Sequence, residues 1–324
     1  MSSFRRLSVS VSASGEVTRK IEETGPEEAG TNELLIRVAY SSLNYKDALS
    51  ANGNKGISRF YPHTPGIDAA GTVVRSSHPD FMEGNKVIVT GFDLGMNTRG
   101  GFSAYISVPA HWAVPLPETM SLKEAMMLGT AGLTAAMSID KILNSDLTQL
   151  PVIVSGATGG VGSIALLILK KLGIETVAFS RRPETMAYLR SLGAKEVIHT
   201  WEESPKPLLK ALFSAGIDVV GGSMLQNMLK HIQPYGALAA CGMALSPDFS
   251  TSVFPFILRG LTLYGIESAE APMAWRKTLW NKLAGEWKPE GLDAICRTVS
   301  LEGLEEEIQL MLAGKARGRV IVKL

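Results

Sequence analysis

A glycine-rich turn between an apolar strand and an apolar helix limits what this chain can fold into more than any other feature. Residues 152–155 suit a buried parallel strand, and residues 162–172 have the length and apolar density of a helix that packs on a sheet. Between them, residues 156–162 follow the spacing G-x-x-G-G-x-G. Glycines let the backbone approach a ligand closely, and free N–H groups at a helix N-terminus favour an anion. Together they predict a dinucleotide site, although the spacing departs from the usual G-x-G-x-x-G.

Apolar runs and helical patterns alternate through the middle of the chain. Strands are predicted at residues 152–155, 176–180, 196–199, 217–220, 237–241 and 261–266, and helices at 162–172, 183–192, 206–215 and 224–232. This alternation is typical of α/β proteins with a doubly wound parallel sheet. Ligands of such folds bind beyond the carboxyl ends of the strands.

The sequence on either side of this region has a different pattern of strand, helix and turn signals. Strand candidates lie at residues 7–11, 33–40, 71–74, 86–90 and 104–108, a short helix is predicted at 44–51, and glycine turns separate them. Such a pattern is typical of a barrel-like β unit. A capping-box pair, Ser121 and Glu124, precedes a helical run to about residue 143. Helices are also predicted at 273–286 and 304–313, before a final strand at 319–323 that we expect to rejoin the β unit.

We expect two domains, because 324 residues are too many for one compact core of typical size. Residues 1–120, completed by residues 267–324, are predicted to form a β-rich domain. Residues 121–266 are predicted to form the nucleotide-binding domain, since they hold the alternating pattern and the glycine turn.

Composition argues against several classes of function. Hydrophobic residues make up 45% and charged residues 19% of the chain, and the net charge of +1 gives no reason to expect nucleic acid or a membrane as a partner. Two cysteines, Cys241 and Cys296, cannot form a disulfide framework or a four-thiolate zinc site. The basic residues near the start are not followed by the apolar stretch of a secretion signal, so we expect a cytoplasmic protein.

The residues at the end of the second predicted strand of the α/β region indicate the form of the dinucleotide. An NAD site usually has an acidic residue there, about 20 residues past the glycines, to bind the ribose 2′-hydroxyl. This chain has Ser180, Arg181 and Arg182 instead. A guanidinium binds a 2′-phosphate through charge-assisted hydrogen bonds, so the sequence predicts NADP(H).

Motifs spread over essentially the whole chain resemble one protein family. They are residues 129–132 (Gly-Thr-Ala-Gly), 156–162, 191–194 (Ser-Leu-Gly-Ala) and 318–322 (Gly-Arg-Val-Ile-Val), with more specific runs at 42–49 around Tyr45, 65–71 and 254–260. The first four resemble the medium-chain dehydrogenase/reductase superfamily, and the others resemble its acryloyl-CoA reductase/YhdH-type quinone oxidoreductase branch. The resemblance implies a GroES-like catalytic domain built from both ends of the chain and a Rossmann domain in the middle. It also implies a homodimer joined partly through the strand at 261–266.

The resemblance further implies which residues line the cofactor cleft. They are Tyr45, Thr158, Gly159, Gly160, Val161, Ser180, Arg181, Arg182, Met243, Ile266 and Ser268, with Thr130 near the nicotinamide. Arg181 departs from the branch, which commonly has a small residue at that position. We expect Arg181 to tighten the phosphate clamp or to close the adenine edge.

No metal is expected. Zinc alcohol dehydrogenases of this superfamily carry a cysteine near the position of Asn44 and a Gly-His-Glu motif near Gly66, where this chain has Ile67 and Asp68. A catalytic zinc needs three protein ligands from cysteine, histidine or carboxylates. No thiolate or imidazole accompanies Asp47 and Asp68 in these motifs.

Without a Lewis acid, reduction of a polarised C=C bond or of a quinone is better supported than alcohol oxidation. Hydride from NADPH leaves an anion that needs a proton, and Tyr45 is the candidate acid. Asn44 is the candidate hydrogen-bond donor to that oxyanion. Asp47 and Asp68 are expected to orient these groups or to bond the nicotinamide ribose, and Lys46 is interpreted as a solvated or phosphate-seeking cation.

Three functions stay open at this point: an NADPH-dependent reductase of an enoyl thioester, with acryloyl-CoA as the favoured substrate; an NADPH:quinone oxidoreductase; and a non-enzymatic NADP-binding structural or sensor protein. A CoA ester needs cations for its phosphates, and the available ones are Lys46, Lys55, Arg59 and Arg99. A quinone needs only an apolar slot, for which the candidates are Phe60, Tyr61, Phe92 and Phe256.

Overall fold

The structure is a computed structural model that describes residues 3–25, 29–147, 149–201 and 204–324. Up to residue 142 the elements are β1 (Phe4–Val11), β2 (Val17–Thr24), β3 (Glu33–Leu43), α1 (Tyr45–Ala51), β4 (Asp68–Ser76), β5 (Lys86–Thr90), β6 (Tyr105–Pro109), β7 (Ala113–Pro115) and α2 (Leu122–Ile142). From residue 152 to 265 they are β8 (Val152–Val154), α3 (Gly160–Lys171), β9 (Thr176–Phe179), α4 (Met186–Ser191), β10 (Ala194–Ile198), β11 (Phe213–Asp218), α5 (Gly222–His231), β12 (Ile232–Ala240), α6 (Phe254–Arg259) and β13 (Thr262–Gly265). The remaining elements are α7 (Met273–Ala284), α8 (Leu292–Ile295), β14 (Cys296–Val299), α9 (Leu304–Leu312) and β15 (Arg319–Lys323).

These elements belong to two compact units. The β unit comprises Met1–Thr130, Ala269–Ala284 and Leu292–Leu324, and the α/β unit comprises Ala131–Ser268 and Gly285–Gly291. Within the described residues, no helix is both long and apolar enough to cross a lipid bilayer.

The β unit contains a two-stranded antiparallel sheet of β1 and β2 and a larger, mainly antiparallel sheet. The strands of the larger sheet lie in the order β14-β15-β3-β4-β5-β7, and β6 pairs with β3. Apolar side chains from β3, β5 and β6, such as Ile36, Val87 and Ile106, form its core. The final strand β15 pairs antiparallel with β3, with Ile321 opposite Ser42, which confirms that the last strand rejoins the N-terminal β region.

Helix α2 begins as its sequence predicts but is broken at one glycine. The backbone N–H of Ser121 donates to Glu124 Oε2 at 2.8 Å, and the N–H of Glu124 donates to Ser121 Oγ at 3.1 Å, so the predicted capping box is confirmed. Gly129 has φ 55° and ψ −154°, which is not helical. Such a break takes helical partners away from the carbonyl groups before it and the N–H groups after it.

The α/β unit has the predicted doubly wound parallel sheet. Its strands lie in the order β10-β9-β8-β11-β12-β13, and every pairing is parallel. Ile153, Val177, Met228 and Leu238 are among the buried side chains that form its core. Because β8 and β9 are neighbours in this order, the residues that follow them lie at the same edge of the sheet.

The helix predicted at residues 206–215 is wrong. β11 occupies Phe213–Asp218, and the described residues 204–212 before it contain no helix. β11 lies between β8 and β12, and each of its residues is buried, so pairing and burial override the local helical pattern. For the same reason the strand starts at Phe213 and not at Ile217, where the sequence predicted it to start.

Candidate active site

The short helix α1 places Tyr45 at the start of a capped helix. β3 ends at Leu43, and Asn44 has extended dihedral angles, φ −119° and ψ 163°, that let it serve as the N-cap. The backbone N–H of Asn44 donates to Asp47 Oδ2 at 2.8 Å. The side chain of Tyr45, the first helical residue, is 53% exposed. The helix predicted at 44–51 is therefore present, with Asn44 as its cap.

Asp47 is fully buried beneath this helix. Its Oδ1 accepts hydrogen bonds from the backbone N–H groups of Ile67, at 2.8 Å, and Gly66, at 3.2 Å. Burial, together with the nearby charge of Asp68, raises the pKa of Asp47 to about 7. The hydrogen bonds from Asn44 and Ile67 oppose this rise. All these contacts are with donors, which favour the ionised form while burial favours the neutral one.

Asp68 is also fully buried, and both of its carboxylate oxygens accept hydrogen bonds. Oδ2 accepts from Ser42 Oγ at 2.5 Å and from Asn44 Nδ2 at 2.8 Å. Oδ1 accepts from Thr130 Oγ1 at 2.6 Å. Asp68 therefore joins Asn44, which the sequence singled out as catalytic, to Thr130, which it placed near the nicotinamide.

The side-chain amide of Asn44 is held on both of its ends. Nδ2 donates to Asp68 Oδ2 at 2.8 Å and to Asp47 Oδ2 at 3.3 Å. Oδ1 accepts from Arg319 Nη1 at 3.1 Å. Both amide hydrogens are thus directed at carboxylates, and donation to a substrate oxyanion requires one of them to turn away. The catalytic role of Asn44 stays a prediction.

Arg319 is the member of this group that sequence reasoning missed. It lies at the start of β15 and is 3% exposed. Its Nη2 donates to Ser42 Oγ at 2.8 Å and lies 3.9 Å from Asp68 Oδ2. The signal in the sequence was a charged residue opening a strand whose next three residues, 320–322, are all apolar.

In the α/β unit, the glycine turn has the close packing that a dinucleotide site requires. A Cβ atom on Gly162 would lie 2.5 Å from the carbonyl oxygen of Gly156, so only glycine fits there. Gly156 has φ 54°, in the left-handed region. The turn leads directly into α3, whose N-terminal N–H groups favour an anion.

Arg182 lies against this turn. Its Nη2 donates to Thr158 Oγ1 at 2.7 Å, and its backbone N–H donates to Ser180 Oγ at 3.2 Å. Ser180 is buried and also hydrogen bonds to Thr185. Arg181 is exposed. The structure therefore brings together Thr158, Ser180 and Arg182, in a place where the guanidinium can receive a phosphate group.

The other predicted cofactor residues of this unit follow β12 and β13. Met243 is 70% exposed and comes shortly after β12. The backbone N–H of Ile266 donates to the carbonyl of Ala240 at 2.9 Å, which keeps it beside the end of β12. Ser268 Oγ accepts from Thr134 Oγ1 at 2.8 Å. These residues thus share the carboxyl edge of the sheet with the glycine turn.

Among the described residues, there is no group of three or more histidine, cysteine or acidic residues placed to hold a metal ion. The two carboxylates nearest the position of a superfamily zinc site, Asp47 and Asp68, are instead bonded to donors of this chain.

Two family models match the chain. The model described as "Alcohol dehydrogenase GroES-like domain" matches residues 30–118, and the one described as "Zinc-binding dehydrogenase" matches residues 160–285. YhfP of Bacillus subtilis, provisionally named a quinone oxidoreductase, is 42% identical over 315 residues, covering 95% of this chain and 96% of YhfP. Acrylyl-CoA reductase AcuI of Ruegeria pomeroyi is 38% identical over 314 residues, covering 95% of each protein.

Solved structures agree with these matches. The crystal structure of the YhdH oxidoreductase from Salmonella enterica in complex with NADP has a TM-score of 0.94 and 35% identity, and the match covers 99% of both chains. That of Bacillus subtilis YhfP with NAD bound has a TM-score of 0.96 and 41% identity over 100% of both chains. On these grounds the chain belongs to the medium-chain dehydrogenase/reductase superfamily, in the branch of AcuI, YhfP and YhdH, and is an NAD(P)-dependent oxidoreductase.

Proposed function

We propose that this protein is an NADPH-dependent, metal-independent reductase of an activated C=C bond, acting on an enoyl thioester of the acryloyl-CoA type. The observation that carries the cofactor assignment is the position of Arg182, whose guanidinium bonds Thr158 in the glycine turn. Related crystal structures contain NADP in one case and NAD in another, so the residues after β9 decide between them. A guanidinium at this position attracts a 2′-phosphate, whereas NAD sites usually have a carboxylate there.

The similarity to acrylyl-CoA reductase AcuI, over 95% of both proteins, supports the substrate class. A CoA ester also requires cations for its phosphates. Lys55, Arg59 and Arg99 are exposed cationic side chains of the β unit.

When bound, NADPH supplies a hydride to the β-carbon of the enoyl thioester, and the electron pair of the C=C bond moves towards the thioester carbonyl. The resulting enolate needs a proton at its α-carbon. We assign the delivery of that proton to the Tyr45 hydroxyl, which is exposed and can be protonated again from solvent. Asp47, Asp68 and Asn44 hold the start of α1 in place through their mutual hydrogen bonds.

A quinone reductase is the second candidate, and the 42% identity to YhfP favours it. Two aromatic side chains predicted to line a quinone slot are engaged in packing within the β unit. The hydroxyl of Tyr61 donates to the carbonyl of Ser50 at 2.8 Å, and the ring of Phe92 stacks on Trp112 with centroids 5.4 Å apart. Phe60, by contrast, is 70% exposed. Because Tyr61 and Phe92 are already engaged in these contacts, the candidate quinone slot has less apolar surface to offer. We therefore favour the thioester over the quinone as the substrate. The non-enzymatic alternative gains no support from relatives that are oxidoreductases.

Steady-state assays with acryloyl-CoA and with a benzoquinone, each with NADPH and with NADH, test this proposal. We expect the highest kcat/KM with acryloyl-CoA and NADPH. Faster turnover of the quinone would favour the second candidate, and equal kcat/KM for NADH and NADPH would contradict the cofactor assignment. One zinc ion per subunit whose removal by a chelator abolishes activity would refute the metal-independent mechanism.

We also propose a homodimer formed through β13. This strand lies at the end of the α/β sheet, and apolar side chains nearby are highly exposed, including Val253 at 63%, Ile257 at 71% and Leu258 at 64%. An edge strand beside an apolar surface is suited to pairing with another chain. Light scattering after size-exclusion chromatography should give twice the mass of one chain, and Ile257→Glu should shift it towards the monomer. A monomeric wild-type protein at micromolar concentration would contradict this.

We also propose the domain boundaries that the sequence predicts. In addition, we propose that the protein is cytoplasmic. The functional domains would be residues 1–120 with 267–324, and residues 121–266. Limited proteolysis that cuts near both proposed boundaries would support them, and fractionation of the source cells would test the location.

A further inference from the structure

The buried guanidinium of Arg319 contacts two segments of the β unit that are far apart in sequence. Toward residues 42–44, it donates to Ser42 Oγ at 2.8 Å, to Asn44 Oδ1 at 3.1 Å and to the carbonyl of Leu43 at 3.4 Å. Toward the first part of α2, it donates from Nε to the carbonyl of Met127 at 3.1 Å. The planar fork of five N–H donors suits such a divided set of acceptors, whereas a lysine ammonium presents only one point of charge.

The break of α2 at Gly129 explains why a cation is needed there. The carbonyls of Met126 and Met127 lie at the end of a helical segment, where they lack helical partners and where the helix dipole is negative. Arg319 donates to both of them. On the other side of the break, the backbone N–H of Thr130 donates to Asp68 Oδ2 at 3.0 Å. The guanidinium of Arg319 thus binds the carbonyl groups before the break, and the carboxylate of Asp68 binds an N–H group after it.

The backbone of Gly129 lies close to three side chains of this arrangement. A Cβ atom at that position would lie 2.4 Å from Asp68 Oδ2, 2.6 Å from Ser42 Oγ and 2.8 Å from Arg319 Nη2. The side chains are therefore packed directly against the helix break, with no room for another methyl group.

The segment held by Arg319 immediately precedes Tyr45. Asn44 is the N-cap of α1, and its side chain is fixed by Arg319 on one end and by Asp68 on the other. A change in the position of Ser42, Leu43 or Asn44 would therefore move the first turn of α1 and the ring of Tyr45 with it.

We propose that Arg319 is a positioning residue of the β unit. It acts through Asn44 to fix the orientation of α1 and of Tyr45. This inference rests on the proposed function only in naming Tyr45 as the group that is positioned. Arg319 itself touches neither substrate nor cofactor in this assignment, because its donors are directed at the acceptors of residues 42–44 and 126–127. A displacement of about 1 Å in a catalytic group can cost about 100-fold in rate.

The test compares Arg319→Lys and Arg319→Ala with a matched control, Arg276→Lys. Arg276 is also a fully buried arginine of the β unit, but it donates to the carbonyls of Thr90 and Ala271. We expect kcat with acryloyl-CoA to fall by up to about 100-fold in Arg319→Lys while KM for NADPH changes less than about twofold. Ethylguanidinium should restore at least part of the kcat of Arg319→Ala, and ethylamine should not. Arg276→Lys should lower Tm without lowering the kcat of the folded protein.

A second readout does not depend on activity. Hydrogen exchange measured by mass spectrometry should show faster exchange in peptides covering residues 44–51 for both Arg319 variants, and unchanged exchange there for Arg276→Lys. If Arg319→Ala does not fold, Arg319→Lys still decides the question. A kcat for Arg319→Lys within twofold of the wild type, or unchanged exchange in α1, would overturn the proposal. If the wild type does not reduce acryloyl-CoA at all, the proposed function fails, and the exchange data still decide whether Arg319 positions α1.

Discussion

Nη2 of Arg182 donates a 2.7 Å hydrogen bond to Oγ1 of Thr158, so the arginine that follows β9 is tied to the glycine turn that follows β8. The side chain is thereby ordered before a cofactor binds, and less conformational entropy is lost when it receives a phosphate.

Arg182→Ala should reduce discrimination between the two dinucleotides. A hydrogen bond to a charged group contributes about 1.5–3 kcal/mol, so we expect kcat/KM for NADPH to fall about 10–100-fold while kcat/KM for NADH changes little. Arg181→Ala should have a smaller effect, because Arg181 is exposed. Initial rates with both cofactors measure this, and a parallel loss with NADH would show that Arg182 supports the fold rather than the 2′-phosphate.

Tyr45→Phe should reduce kcat with little change in stability. General acids contribute about 10²- to 10⁴-fold to rate, and we expect a loss of about 100-fold, since water can replace part of the function. The ring is 53% exposed, so removal of its hydroxyl should shift Tm by no more than about 1 °C. Single-turnover rates and thermal unfolding provide the measurements. An unchanged kcat would rule out Tyr45 as the acid.

Gly129→Ala should destabilise the β unit and damage the site together. Its φ of 55° and ψ of −154° are nearly restricted to glycine, and a Cβ atom would lie 2.4 Å from Asp68 Oδ2. We expect a loss of about 3 kcal/mol in the free energy of unfolding. Gly314→Ala is the matched control, because φ is 67° there and nothing lies within 4 Å of the added Cβ. That variant should lose only about 1 kcal/mol in urea unfolding and keep its kcat. Equal losses in the two variants would contradict the steric argument.

Asp47 should make the stability of the protein fall as pH rises from about 4 to 7. Burial and the charge of Asp68 raise its pKa from 3.8 to about 7 in the folded state, so within that window the folded protein binds a proton that the unfolded chain releases. The contribution to the slope is at most ~1.4 kcal/mol per pH unit. Urea unfolding at pH 5, 6 and 7 should show this slope in the wild type, and Asp47→Asn should lack it. Parallel profiles for the two proteins would mean that Asp47 stays ionised.

Much of the α/β unit could be predicted because its local signals and its tertiary structure agree. The run at 152–155 is apolar and is followed directly by a glycine-rich turn, and its first three residues form β8 between β9 and β11. The prediction failed at residues 206–215, where leucines and alanines at helical spacing precede a strand. There the position between two neighbouring strands outweighs a local preference of a few tenths of a kcal/mol per residue.

The group around Asn44 was only partly predictable for a different reason. The motif at 42–49 identified the helix start, and Asn44 and Asp47 were both singled out from it. Arg319, however, is 275 positions from Asn44 in the chain, and its other acceptors are largely backbone carbonyls. A residue that bonds mainly to carbonyls has few partners of complementary type in the sequence, and its acidic neighbour Asp68 is far from it along the chain, so spacing does not indicate the contact.

The position of β15 in its sheet has a consequence for how the protein is made. This strand pairs with β3 and β14, and its first residue supports the cap of α1, yet it follows every other strand of that sheet in the chain. During synthesis on the ribosome, the strands β8 to β13 emerge before it and can assemble as one folding unit. Until then residues 40–43 of β3 lack the partner that β15 provides, while residues 33–37 can already pair with β6. We therefore expect catalytic competence only after translation has passed Lys323.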